Sequence, residues 1–284
     1  KLLARRRLEL VQRAAPVTAE MAERIVVDLA ASRRRKVVDL TDEDFAADPE
    51  AQALLTKWPD GRSSLTQMVR DSLVAKIERG SQTLSDTRFL HTEPHHDDLM
   101  LGYLPHIVRH TRDASNTHYF ACLTGGFTAV TNRLILGYVQ QLAARLDSDE
   151  FGQLLTAGYF EPDSLEGRNR DVWQYLDGVA AASEDARDEG AARRFLRNLI
   201  ANYGDSSRDA VRTRLQSLRT YFASRHPGQK DSDDVQRLKS MCREWEAECI
   251  WGYFGWDCAH ILHLRLGFYT GDIFTPEPTV EKDV

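Results

Sequence analysis

Phe89-Leu90-His91-Thr92-Glu93-Pro94-His95-His96-Asp97-Asp98, followed by Leu99-Met100-Leu101-Gly102-Tyr103-Leu104, is the stretch on which the reading of this chain turns. Phe89 to Thr92 is a short β-compatible run. Glu93-Pro94 closes it, because proline has no N–H to give and drives the residue before it away from helix. Two imidazoles and two carboxylates follow at once. Neutral imidazole and carboxylate together suit a divalent metal such as zinc, which in catalytic sites keeps three protein ligands and a water. A carboxylate next to a ligand can take a proton from that water. The position fits as well, since ligands of open α/β sheets sit beyond the carboxyl ends of the strands. The plainer alternative is a capped helix start with surface histidines.

Working outward, the periodicity predicts a helix from Leu99 to His110, running through Pro105, and a strand from His118 to Thr124 closed by Gly125-Gly126. Strand, loop, helix, strand is the order of a parallel α/β sheet. Helical patterns then dominate from about Asn132 to Glu248, clearest at Leu134–Leu146, Ala191–Tyr203, Val211–Phe222 and Val235–Ile250. Breaks fall at Glu161-Pro162-Asp163 and His226-Pro227-Gly228. Ala259 to Leu266 reads as a further strand. Upstream, residues 1–35 are helical in pattern, interrupted at Pro16 and restarted at Thr18. Thr41-Asp42-Glu43-Asp44 has helix-cap chemistry, Trp58-Pro59-Asp60-Gly61 is a turn, and Leu65 to Ile77 is an amphipathic helix. The division that follows is a helical arm or interdomain linker over 1–86 and an α/β domain over 87–284, with a helical insertion at about 134–240.

The chain has 284 residues and a net charge of −6, and no apolar run reaches the roughly 18–20 residues of a membrane span. A dedicated nucleic-acid binder is disfavoured by that charge, and the arginine runs at 5–7 and 33–35 read as solvated helix faces. Four cysteines without a CxxC pair do not form a disulfide framework, which points to a reduced, cytoplasmic setting. Cys122, Cys242, Cys249 and Cys258 read as buried, inert thiols. His106 and His110 share a helix face without an acidic partner and read as structural. Trp245, Trp251 and Trp256 read as packing residues.

Pro94-His95-His96-Asp97-Asp98, after FLHTE and before LMLGYL, resembles the PHPDD signature of the LmbE-like/PIG-L de-N-acetylases. Leu123-Thr124-Gly125-Gly126 is similar to that family's second strand and Thr-Gly loop. Arg243-Glu244-Trp245-Glu246-Ala247, with Tyr253-Phe254-Gly255 and the run from His263 to Tyr269, is similar to its R-x-x-E-A helix, Gly turn and following strand. The likeness covers about 87–132 and 240–275. It implies a Rossmann-like parallel sheet and a zinc hydrolase that removes acetyl from an amino-sugar-like substrate. It also implies His95 and Asp98 as zinc ligands and Asp97 as general base. His96 stands where the family usually has Pro and adds a second ligand or a hydrogen-bond donor toward substrate. Arg243 is placed to hold sugar hydroxyls or a phosphate, with an i,i+3 salt bridge to Glu246 as the plain alternative.

The family takes its third ligand from a late H-x-x-H motif. Here that spacing occurs at His260-Ile261-Leu262-His263, on the expected strand. The ligand is therefore expected beyond Val284, with His260 or His263 as the other choice. The missing initial Met and the likeness of Leu40 to Phe45 to a linker in fused proteins suggest a fragment whose partner domain resembles glucosamine-6-phosphate deaminase. The inserted helices are expected to cover the site or to form a homo-oligomer contact. Two other function classes remain open: an all-helical His-Asp metal phosphohydrolase, and a non-catalytic binding or assembly module on the same sheet.

Overall fold

Three strands run parallel in the order β1 (Arg88–Glu93), β2 (Thr117–Cys122), β3 (Ile261–His263). The structure is a computed structural model that describes residues 17–226, 228–268 and 277–283, together with Leu8 and Val11. It divides into two compact units, residues 1–83 and 84–284.

The first unit is helical among its described residues: α1 (Ala19–Arg33), α2 (Asp42–Ala46), α3 (Pro49–Lys57) and α4 (Gly61–Ser81). Local chemistry sets its boundaries. Thr18 Oγ1 accepts the Met21 N–H to start α1, and Arg34 ends it at φ +53°. Thr41 and Asp44 cap each other reciprocally, with Asp44 Oδ2 accepting from Thr41 N at 2.9 Å. Asp44 also takes Arg35 at 3.0 Å and Arg33 at 3.8 Å, so two members of the second basic run are paired across the turn. Ile25, Val26, Leu29, Phe45, Leu54 and Leu65 form the buried core.

In the second unit, β1 and β2 are joined by α5 (His96–Gly102) and α6 (Leu104–Thr111). The single helix expected over 99–110 is two, because Pro105 sits in the first turn of α6, where its missing N–H costs nothing, and the chain breaks at Tyr103. The strand expected over 259–266 shortens to three residues. Cys258–His260 forms a 3₁₀ turn instead, and Asp257 caps it by accepting from Ala259 N.

Strand parity places Phe89, His91 and Glu93 on the helix-covered face with His118 and Phe120, while Leu90, Tyr119 and Leu262 stand exposed on the other face. Between β2 and β3 lie α7 (Asn132–Arg145), α8 (Asp149–Thr156), α9 (Leu165–Ala180), α10 (Glu184–Tyr203), α11 (Arg208–Ala223) and α12 (Asp233–Tyr253). They carry their own core, including Ile135, Val139, Leu142, Phe195, Leu199 and Leu218. α12 ties that core to the sheet. Cys242 belongs to the helical core, whereas Trp251, about two and a half turns on, stacks on Phe120 with ring centres 3.8 Å apart. α13 (Val280–Asp283) follows. No helix among the described residues is long and apolar enough to cross a membrane. The four cysteines are free, and burial pushes the Cys122 and Cys258 thiols up to about 12.

Parallel register also gathers four histidines behind the sheet. His91 Nε2 lies 2.9 Å from His118 Nδ1, and His106 and His110 of α6 stack with ring centres 4.4 Å apart. Burial holds His91 down to about 4, helped by the neighbouring imidazoles. A base whose folded value is depressed contributes stability above its unfolded value, and that stability is lost as pH falls through the folded value. The interval from 6.5 to about 4 corresponds to roughly 3 kcal/mol at 1.36 kcal/mol per pH unit. Wild-type stability is therefore expected to fall across this window in urea titrations at stepped pH. His91→Gln, neutral and able to hydrogen-bond, is expected to flatten the fall; equal slopes in the two proteins would contradict this.

Candidate metal centre

The three strands end level. Glu93 pairs with Cys122, and Cys122 with His263. The loops leaving them therefore share the carboxyl edge of the sheet. Thr124 fixes the start of the His-His-Asp-Asp motif there: its N–H and its hydroxyl both donate to Pro94 O, at 3.0 and 2.8 Å. The chain then enters α5 with His95 as its extended first residue and His96 in the first turn. The motif begins a helix at the end of a parallel strand, an arrangement an all-helical architecture lacks.

His95, His96 and Asp97 place one ligand atom each within 4.8 Å of one another. Asp97 Oδ2 is 3.3 Å from His95 Nδ1, and Asp97 Oδ1 is 3.2 Å from His96 Nε2. Two ligands of a tetrahedral zinc at about 2.0–2.1 Å stand about 3.3 Å apart, close to each of these separations, which use the two different oxygens of Asp97. The protonation states fit too. Burial, and then the Arg243 charge, lower the His95 imidazole below its ordinary value. Burial and the charges of His95 and Arg243 push His96 down to about 3. Both rings present lone pairs at neutral pH, as metal binding requires. The residues present fit a divalent metal with nitrogen and oxygen donors.

Asp98 lies differently. Its Oδ2 accepts the His95 N–H at 3.1 Å, which closes the helix start, and it is not one of the three gathered groups. The capped helix start and the metal-competent cluster therefore coexist, each using its own carboxylate.

Arg243 of α12 reaches across 148 residues of sequence to this cluster. It donates from Nε to His95 Nε2 at 3.2 Å and from Nη2 to Asp97 Oδ2 at 2.5 Å, and it also pairs with Glu246. The helix salt bridge and the site contact are thus made by one guanidinium. Glu246 Oε2 is 3.9 Å from His96 Nε2. Burial raises its carboxyl above the ordinary value against the pull of Arg243. His96, Asp97, Arg243 and Glu246, with Tyr138 and Tyr175, line a cavity of about 800 Å³.

Two further residues have structural parts that their sequence positions did not announce. Gly126, at φ +56°, lies so close to His95 that a Cβ there would stand 2.4 Å from His95 Cδ2. The second glycine of the Thr-Gly-Gly loop is what lets the imidazole occupy its place. Glu93 lies buried at the strand end with neither carboxylate oxygen hydrogen-bonded. Burial, with Asp98's charge, pushes it up to about 7. The signal available for Glu93 was its parity with His91 on the inward face of β1.

Neither His260 nor His263 joins His95. His260 Nδ1 pairs with Asp257 Oδ1 at 2.7 Å, on the turn before β3, and His263 Nε2 pairs with Glu248 Oε1 at 3.2 Å. Tyr269, the last residue of the family-like run, lies outside the described residues.

No family model, curated protein or solved structure matches the chain.

Proposed function

We propose that this protein is a metal-dependent hydrolase that removes an N-acetyl or related N-acyl group from an amino-sugar-like substrate, on a Rossmann-like sheet of the LmbE-like/PIG-L kind. The observation that carries the reading is the gathering of His95, His96 and Asp97 at the carboxyl end of β1, where His96 and Asp97 line a cavity of small-molecule size. His95 anchors the metal. Asp98, whose Oδ2 holds the helix start and whose other oxygen remains over, is the carboxylate ligand that the resemblance implies. His96 adds a second imidazole. A bound zinc would acidify a water and polarise the acyl oxygen.

The chain's own groups do the remaining work. Asp97, half exposed between the two imidazoles, takes a proton on its carboxylate. Arg243 orients Asp97 through Nη2 and offers the guanidinium face to substrate hydroxyls. Glu246, whose carboxyl burial raises above its ordinary value, stands on the wall of the same cavity with Oε2 3.9 Å from His96 Nε2. The helices on the far wall of the cavity, α7 and α9, supply Tyr138 and Tyr175 to exclude water.

A second reading follows from the cluster itself: Asp97 is the third ligand, and Asp98 only caps the helix. Acetate release from N-acetylglucosamine and its simple glycosides by zinc-loaded protein tests the activity. Release that depends on added zinc and disappears with a chelator is expected. No release from any N-acetyl amino sugar, with zinc bound, would favour a binding or assembly module.

A further inference from the structure

α12 has two working faces. Arg243 and Glu246 look toward His95, whereas Arg237, Ser240, Met241, Glu244 and Glu248 recur at helical spacing on the opposite face and line a second cavity of about 1080 Å³. This cavity also opens at the carboxyl edge of the sheet, since Gly125 of the β2 loop, His263 at the end of β3, and Arg265, Leu266 and Gly267 after it form part of its wall. The first site makes no use of it.

Its wall is rich in guanidinium groups: Arg168, Arg194, Arg197, Arg237 and Arg265. The chain's own carboxylates satisfy some of this charge. Glu248 takes Arg168 and Arg194, buried Asp171 takes Arg194 and Arg197, and Arg265 forms a two-bond pair with Glu244 at 2.6 and 2.9 Å. These pairs leave donors over. Arg237 makes no hydrogen bond or ion pair among the described residues. Asn198 is 4% exposed on the same wall, and its Nδ2 has no acceptor. An orphaned buried donor and an unpaired guanidinium lining one cavity call for an acceptor that the chain does not supply. The carboxylates of Asp163 and Asp233 stand on the solvent-exposed rim, where water screens them.

We propose that this cavity is a second ligand site, separate from the His95 site, for a small phosphate-bearing molecule. Arg237 supplies the free charge and Asn198 the buried donor. The paired arginines behind them hold the wall in place. The site stands independently of the deacetylase reading.

Inorganic phosphate is the probe, titrated into the full chain and read by thermal shift and calorimetry at constant ionic strength with chloride as control. Wild type is expected to show a saturable rise in Tm that chloride does not reproduce. Arg237→Glu, a change at an exposed position that leaves the buried pairs intact, is expected to weaken phosphate at least tenfold, and Arg237→Lys to retain most of the affinity. His95→Ala is expected to bind phosphate as wild type does. No saturable response in wild type, an unchanged affinity in Arg237→Glu, or loss of binding in His95→Ala would each overturn the proposal.

Discussion

Asp97→Asn is expected to keep its zinc and to release acetate about a hundred to ten thousand times more slowly than wild type, the usual contribution of a positioned general base. The side chain keeps its size and its contacts in this variant. Asparagine can still accept from Arg243 Nη2, which lies 2.5 Å from Asp97 Oδ2 in the wild type. What it loses is the ability to carry a proton away. Turnover, measured as acetate released per zinc bound, separates this loss from a loss of metal. Full activity in the zinc-loaded variant would remove Asp97 from the base role. Zinc lost together with activity, while Asp98→Asn retains both, would instead establish Asp97 as a ligand.

Glu248→Ala is expected to be the most damaging single change to the fold of the second unit, at about 3–5 kcal/mol. Glu248 is 1% exposed and takes two guanidinium groups and an imidazole: Arg168 and His263 at Oε1 and Arg194 at Oε2. The charges of Arg194 and Arg168 and the His263 hydrogen bond hold its carboxyl well below the ordinary carboxylate range despite the cost of burial. Removing it strands Arg194, itself 3% exposed, with only Asp171 for compensation. Arg170→Ala is the contrast. Its pair with Glu166 is an exposed helix contact, and no measurable loss is expected. Urea unfolding followed by tryptophan fluorescence reports on this unit, because Trp173, Trp245, Trp251 and Trp256 all lie in it. Equal midpoints for Glu248→Ala and Arg170→Ala would refute the account of the buried network.

The parts of this fold that local chemistry decides could be read from the sequence. Thr18 and Thr41 start helices because their hydroxyls accept backbone N–H groups within the same turn. Glu93-Pro94 ends β1 because a proline there forbids both helix and ladder. The parallel α/β arrangement around His95 followed from the order of the elements. The errors arose where distant residues decide. β3 has only the three residues that find partners on β2, and that length belongs to the pairing and not to the apolar run from Ala259 to Leu266. The break at Tyr103 depends on Pro105 opening a new helix, where a simple kink was equally compatible with the pattern.

The site divides in the same way. Of its four contiguous residues, His95, His96 and Asp97 come together as their residue types suggest, while Asp98 closes the helix start. Arg243's reach to His95 and the close approach of Gly126 are products of tertiary packing. The resemblance that named His95, Asp97 and Asp98 assigned the roles of ligand and base, which geometry alone leaves to the two carboxylates. The histidine group around His91 and the arginine-lined cavity behind α12 are assembled from residues far apart in sequence and show no local motif.

The metal content of wild type and His95→Ala, after equilibration with zinc and removal of the unbound ion, tests the central claim most directly. His95 is the ligand common to both assignments of the carboxylates, so the result does not depend on which of Asp97 and Asp98 binds. The account predicts one zinc per wild-type chain and essentially none in folded His95→Ala; equal zinc in the two proteins would contradict it.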